Sequence, residues 1–295
     1  MVKNTGTLHF KEYFKLFDSM VLPVLTYGAE VWGYQRYQVA ERVQLKFCKA
    51  FMCVKSSTPD ACILGDCGRY PIFIHTFKKV ILYWFKLLKM PTNNVAKHAY
   101  ELAVTLDKNG KESWATHVKC LLYEHGFGDV WFWQGPGDFD LFLYNFMTRA
   151  KDIFKQNWFS DICCKNKLRL YCNFKTSFES ETYLTMDSGF KLKSALARLR
   201  TCGLGLAVEE GRAQGLDIED RICKVCGSSE IEDEYHFVCI CPLYQNLRSN
   251  YLPRWAYIFP TPEKYYSLMA SNNKREILKL ALFVNKAASL RKECL

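Results

Sequence analysis

Four cysteines and one histidine stand within nineteen positions of the segment "RICKVCGSSEIEDEYHFVCICPLYQ", residues 221 to 245. Taken as Cys223-x2-Cys226-x9-His236-x4-Cys241, the spacing supplies four ligands for one tetrahedral zinc ion. The short first pair chelates as a knuckle, and Gly227 just after it permits the tight backbone turn a knuckle needs. Pro242 disfavours helical geometry at Cys241 and so frees that thiol to turn toward a metal. Four closed ligands leave no position for a reacting water, so such a site is structural rather than hydrolytic. Cys239 is a fifth candidate. On a helix it shares a face with His236, so a His-x2-Cys arrangement stands beside the alternative of a small buried thiol.

The rest of the chain has the composition of a packed protein: 49% apolar and 15% aromatic over 295 residues. No apolar run approaches the roughly 18 residues that span a bilayer. The best stretch, "VILYWFKLL", is broken by Lys86. The start, "MVKNTGTLHFKEYFKLFD", lacks the apolar core and cleavage site of a secretory signal, so the expectation is an intracellular protein, nuclear or cytoplasmic, with no membrane partner. Fourteen cysteines without a repeating frame then read as reduced thiols plus one metal site. The net charge of +10 points to polyanions, because cations on phosphates release counterions. Bases gather between Phe146 and Arg200, where a solvated helix surface and a nucleic-acid track are both open readings.

The expected fold is mainly α, a multi-helix body followed by a small Cys-Cys-His-Cys module. "FKLFDSMVLPVLTYGAEVWGY" reads as one helix with Val21, Leu25, Gly28 and Trp32 along a face, where close packing explains Pro23 and Gly28. "VAERVQLKFCKAFMCV" gives an amphipathic stripe of Val39, Val43, Phe47, Ala50, Phe51 and Val54. Pro71 opens the next helix, Ser113 caps another, and "DFDLFLYNFMTRAKDIFKQNWFSDI" is a long helix carrying Phe139, Phe142, Phe146, Ile153 and Trp158. "CNFKTSFESETYLTMDSG" reads as a linker before the basic helix "FKLKSALARLRT". The glycines between 203 and 215 lack the phosphate-loop pattern and read as turns.

Catalytic constellations are missing. Two-metal phosphoryl transfer needs paired carboxylates, and Asp138 with Asp140 reads as a helix start instead. No motif supports a nucleophilic cysteine, and no small-molecule substrate is implied.

"VLPVLTYGAEVWG", "TPDACILGDCGRYPI", "SWATHVKCLLYEHGFGDVW", "ALARLRTCGLGLAVEEGR" and the Cys-Cys-His-Cys cluster follow one another from about residue 10 to about 250. In that order they resemble the carboxy-terminal region of non-LTR (LINE-type) retrotransposon reverse transcriptases, thumb and connector followed by a zinc knuckle. "YGAEVW" and the ligand spacing are its most specific pieces. The resemblance implies a thumb-like segment at 1–55, a helical connector at 56–190, a basic helix and zinc module at 191–260 and a terminal helix at 261–295. The family's aromatic-Ala-Asp-Asp motif is absent, so polymerase activity is not carried over. Nor is the endonuclease of some relatives, since only Glu263, Glu276 and Glu293 are acidic after Cys241.

What the resemblance does imply is a non-catalytic fragment that helps position RNA or DNA. It makes Cys223, Cys226, His236 and Cys241 the ligands of a structural zinc and leaves Cys239 spare. It makes Arg198, Arg200 and Arg212 candidate nucleic-acid contacts, joined by Lys191 and Lys193 of the same basic helix; Arg212 could instead pair with Glu209 or Glu210. Tyr235, Tyr244 and Trp255 are available for base stacking or for the core.

Overall fold

The computed structural model describes residues 9–135 and 137–295. About 70% of it is helical and the described residues form no strand, as the mainly α expectation requires. The longer helices are α1 (Phe10–Leu16), α2 (Gln38–Met52), α3 (Asp60–Cys67), α4 (Ile72–Lys89), α5 (Val95–Lys108) and α6 (Trp114–Glu124). They are followed by α7 (Phe139–Cys164), α8 (Phe190–Arg200), α9 (Ala207–Ala213), α10 (Gln245–Tyr251), α11 (Pro262–Met269) and α12 (Lys274–Cys294). None of them is long and apolar enough to cross a membrane.

The chain divides into two compact units, and not by the linear segments expected at 1–55, 56–190, 191–260 and 261–295. One unit comprises 15–44 and 70–157; the other comprises 1–14, 45–69 and 158–295, of which residues 1–8 lie outside the described part. The boundaries fall inside α2 and α7, after Gln44 and Asn157, because an amphipathic helix can serve different cores along its length.

In the first unit α4, α5, α6 and the amino-terminal part of α7 enclose Phe77, Val80, Ile81, Trp84, Leu122, Trp131, Phe142 and Phe146. Pro71 opens α4 as expected, but a proline has no capping side chain. The orphan amides of Ile72 and Phe73 donate instead to Glu41 of α2, both at 2.9 Å. Ser113 caps α6 in a reciprocal box with Thr116, and Asp138 accepts from the Leu141 amide at the start of α7.

"FKLFDSMVLPVLTYGAEVWGY" is not one helix. A π-turn over Phe17–Val21 precedes Leu22–Leu25, and Gly28 sits at φ +64° before Ala29–Trp32. Pro23 is exposed, so a new helical start rather than close packing accounts for it. The stripe expected on α2 is kept only in part: Phe51 is buried, but Val39 is exposed, and Gln44, Cys48 and Met52 are buried as well.

The second unit is organised by Asp66, which is fully buried on α3. Its carboxylate accepts from the Tyr171 and Tyr183 hydroxyls, each at 2.8 Å, and from Arg200 Nε and Nη2 at 3.0 and 3.1 Å. Arg200 also donates to the Met269 carbonyl and pairs with Glu181, which Lys175 meets at 2.5 Å. The supposed linker therefore supplies buried Phe174, Lys175, Phe178 and Tyr183, just after buried Tyr171, and is part of the core. Hydrophobic burial and ion pairing together hold this irregular segment, which periodicity alone does not reveal.

Burial by itself would push the Asp66 carboxyl up, but the Arg200 charge and hydrogen bonds, then Lys175 and Tyr183, outweigh it and hold it below the usual value. Because the folded value is depressed, the stabilisation is complete above the unfolded value of about 3.9 and is lost as pH falls through the folded one. Asp66→Asn, which leaves buried Arg200 with Glu181 as its one remaining carboxylate partner, should cost about 3 kcal/mol in urea unfolding at neutral pH. The difference from the parent should shrink as the pH falls below about 4.

Candidate metal centre

Residues 221–245 build a site from both ends of a short loop. The Cys223 amide donates to Glu230 O at 2.8 Å and the Glu232 amide to Arg221 O at 2.9 Å, around an isolated antiparallel bridge between Ile222 and Ile231. Between them Gly227 takes φ +64°, the left-handed turn anticipated for the knuckle. His236 begins a π-turn, His236–Ile240, and its amide donates to Asp233 Oδ1 at 2.7 Å. Cys241 leaves that turn at ψ 119°, so the residue before Pro242 is extended as steric reasoning requires.

The ligand atoms of Cys223, Cys226, His236 and Cys241 lie within 4.8 Å of one another. Cys226 Sγ and His236 Nε2 are 3.5 Å apart. Metal–sulfur bonds of about 2.3 Å in a tetrahedron place neighbouring ligand atoms about 3.8 Å apart, so a small rearrangement closes this group on one ion. The four residues fit a tetrahedral metal, and the donor set is closed. Cys239 stays outside the group: it is 3% exposed, and burial pushes its thiol up to about 12.

The surroundings favour metal binding. His236 turns Nε2 to the cluster and Nδ1 to Glu230 Oε2 at 3.0 Å, the carboxylate–imidazole pairing that fixes the ring and raises ligand basicity. Burial opposes the Cys226 thiolate, but hydrogen bonds from Ser228, with Cys223 and His236, bring the thiol down to about 7. Burial instead raises Cys223 and takes Cys241 to about 12, so their protons leave when a cation binds. Arg248, 1% exposed, places Nη2 at 2.6 Å from Cys241 O.

The loop is anchored to the rest of its unit. Glu232, 1% exposed, accepts from Arg291 Nε and Nη2 of α12, each at 2.7 Å, and from the Ala207 amide of α9. Arg169 meets Asp233 at 3.0 Å. None of these anchors was evident in the sequence; the only available signal was the acidic run 230–234, which had no assigned partner.

The expected nucleic-acid contacts separate in the structure. Lys191 is exposed, and Arg212 is half-buried with no ion pair to Glu209 or Glu210. Glu209 is turned instead to the Leu204 and Gly205 amides. Arg198 is half-buried and donates through Nε to Cys53 O at 3.1 Å. Lys193 lies over the Phe51 ring at 5.8 Å. Arg200 is corrected: it is 4% exposed and spent on Asp66 and Glu181, so it offers no charge to a polyanion. Among the stacking candidates Tyr244 is core, packed on Phe237 and Phe283, and Tyr235 stands against Tyr265, whereas Trp255 is 42% exposed.

The purified chain should take up one equivalent of zinc, and Cys223→Ser or His236→Ala should abolish stoichiometric binding in a competition titration with a chromogenic chelator. Glu230→Ala should weaken it by about 10–100-fold, the usual effect of removing the carboxylate behind a ligating histidine. Cys239→Ser should leave it unchanged. Chelation should increase amide exchange around 215–250 while α4 to α6 stay protected. Compared with known proteins, the chain matches no protein-family model, no curated protein and no solved structure.

Proposed function

We propose that the chain is a non-catalytic, nucleic-acid-binding fragment of a non-LTR (LINE-type) retrotransposon reverse transcriptase, acting inside the cell to position RNA or DNA. A structural zinc ion held by Cys223, Cys226, His236 and Cys241 staples its carboxy-terminal unit. The observation that carries this reading is the closed three-cysteine, one-histidine cluster, built into the same compact unit as the basic helix α8 of a chain of net charge +10. A fourth protein ligand leaves no place for a metal-bound nucleophile, so the ion's role is to fix the fold. Electrostatic attraction of Lys and Arg to phosphates then provides affinity.

A second reading, a helical interaction protein with a purely stabilising zinc, is favoured by one feature of the other unit. Leu16, Met20, Val24, Tyr27 and Val31 are all exposed, from 45% at Leu16 to 86% at Tyr27.

The zinc-loaded chain should bind single-stranded RNA at low salt, with log K falling by about 0.7 per phosphate neutralised for each unit of log salt. Lys191→Glu combined with Arg212→Glu should weaken binding without changing the thermal melt. No binding at low salt, together with self-association that Val24→Asp and Tyr27→Asp abolish, would replace this function with the interaction reading.

A further inference from the structure

Helices α8 and α12 pack against each other. Lys191, Ser194 and Arg198 stand at i, i+3 and i+7 on α8; Asn285, Ser289 and Lys292 stand at i, i+4 and i+7 on α12. Both faces line one hollow of about 210 Å³, which has no acidic residue in its wall. Like charges brought together repel, so a cluster of cations without carboxylates needs a compensating anion or full solvation.

Full solvation does not describe this hollow. Arg198 is half-buried, so its charge keeps only part of its hydration. Arg198 is held from behind: Nε donates to Cys53 O at 3.1 Å and Nη2 reaches Cys53 Sγ at 3.7 Å, which fixes the plane of the guanidinium and leaves Nη1 unengaged. Neither Lys191 nor Lys292 is paired with a carboxylate among the described residues, and both are exposed. An oriented guanidinium, two ammonium groups, the Ser194 hydroxyl and the Asn285 amide therefore line a space of small-anion size, while the Ser289 hydroxyl is spent on Asn285 O at 3.1 Å.

We infer that this hollow is a seat for one phosphate group. A tetrahedral anion with several acceptor oxygens matches donors arriving from two helices, and charge-assisted hydrogen bonds of this kind are the strong ones. Lys292 lies 94 residues beyond Arg198 in sequence, so the seat exists only once α12 has docked on α8. The phosphate can belong to a nucleic-acid strand, which rests on the function proposed above, or to a free phosphate; the seat itself requires neither source.

Two titrations of the full, zinc-loaded chain separate the sources: inorganic phosphate followed by calorimetry at low ionic strength, and a labelled short single-stranded RNA followed by anisotropy. The parent should bind one phosphate, and Lys292→Gln and Ser194→Ala should each weaken that binding several-fold with unchanged thermal melts. If RNA affinity falls in parallel, and the salt slope of Lys292→Gln drops by about 0.7, the seat holds a strand phosphate. If phosphate binding falls while RNA binding does not, the seat stands as a free-phosphate site and the strand form is refuted. Absence of phosphate binding by the parent, or binding undiminished in both variants, overturns the seat; RNA binding that persists in that case leaves the nucleic-acid function intact.

Discussion

The carboxylate of Asp66 sets the order of the unit that carries the metal centre. A fully buried charge is tolerated only where opposite charge and hydrogen bonds replace water, and here Arg200, Tyr171 and Tyr183 do so from segments more than 100 residues away in sequence. The same guanidinium reaches Met269 O, so α3, α8 and the end of α11 are referenced to a single point. Well-packed hydrophobic residues can match the stability of a buried ion pair, but the directional bonds specify one arrangement. That arrangement fixes α8, on which α12 packs, and α12 in turn presents Arg291 to Glu232 of the metal loop.

The candidate metal centre is thus the end of a chain of constraints as well as the start of one. Three thiolates and a divalent cation carry a formal charge of −1 (2 − 3), and such a group needs an ordered polar setting. The loop supplies Glu230 behind His236, the Cys241 carbonyl receives Arg248, and the Glu232–Arg291 pair ties the loop to α12. Without a cation the cysteines have unequal proton affinities, with Cys226 drawn down to about 7 and Cys241 pushed up to about 12, each for a local reason. A metal ion held here would remove that inequality by replacing all the thiol protons with one cation, and its uptake would then be coupled to folding of this loop.

Much of the site was legible in the sequence because knuckle chemistry is local. Gly227, Pro242 and the ligand spacing act within a few bonds, and each has the backbone geometry its residue type dictates. Helix starts were legible for the same reason at Ser113, Asp138 and Pro71. What failed was long-range. The stretch 172–189 has turn-forming composition and no periodicity, yet its aromatics and Lys175 are buried by partners that no local pattern announces. Arg200 looked like its neighbour Arg198, because a basic residue on a helix carries no mark of which face meets a buried acid. Glu41 could not be read as the cap of α4 from a position 31 residues before Ile72.

The most direct measurement of the central claim is zinc-edge X-ray absorption on the zinc-loaded full chain. A closed staple predicts three sulfur ligands at about 2.3 Å and one nitrogen at about 2.0–2.1 Å, with no oxygen. Four sulfur ligands would show that Cys239 displaces His236, and an oxygen in the first shell would show an open, reactive position; either result contradicts the account.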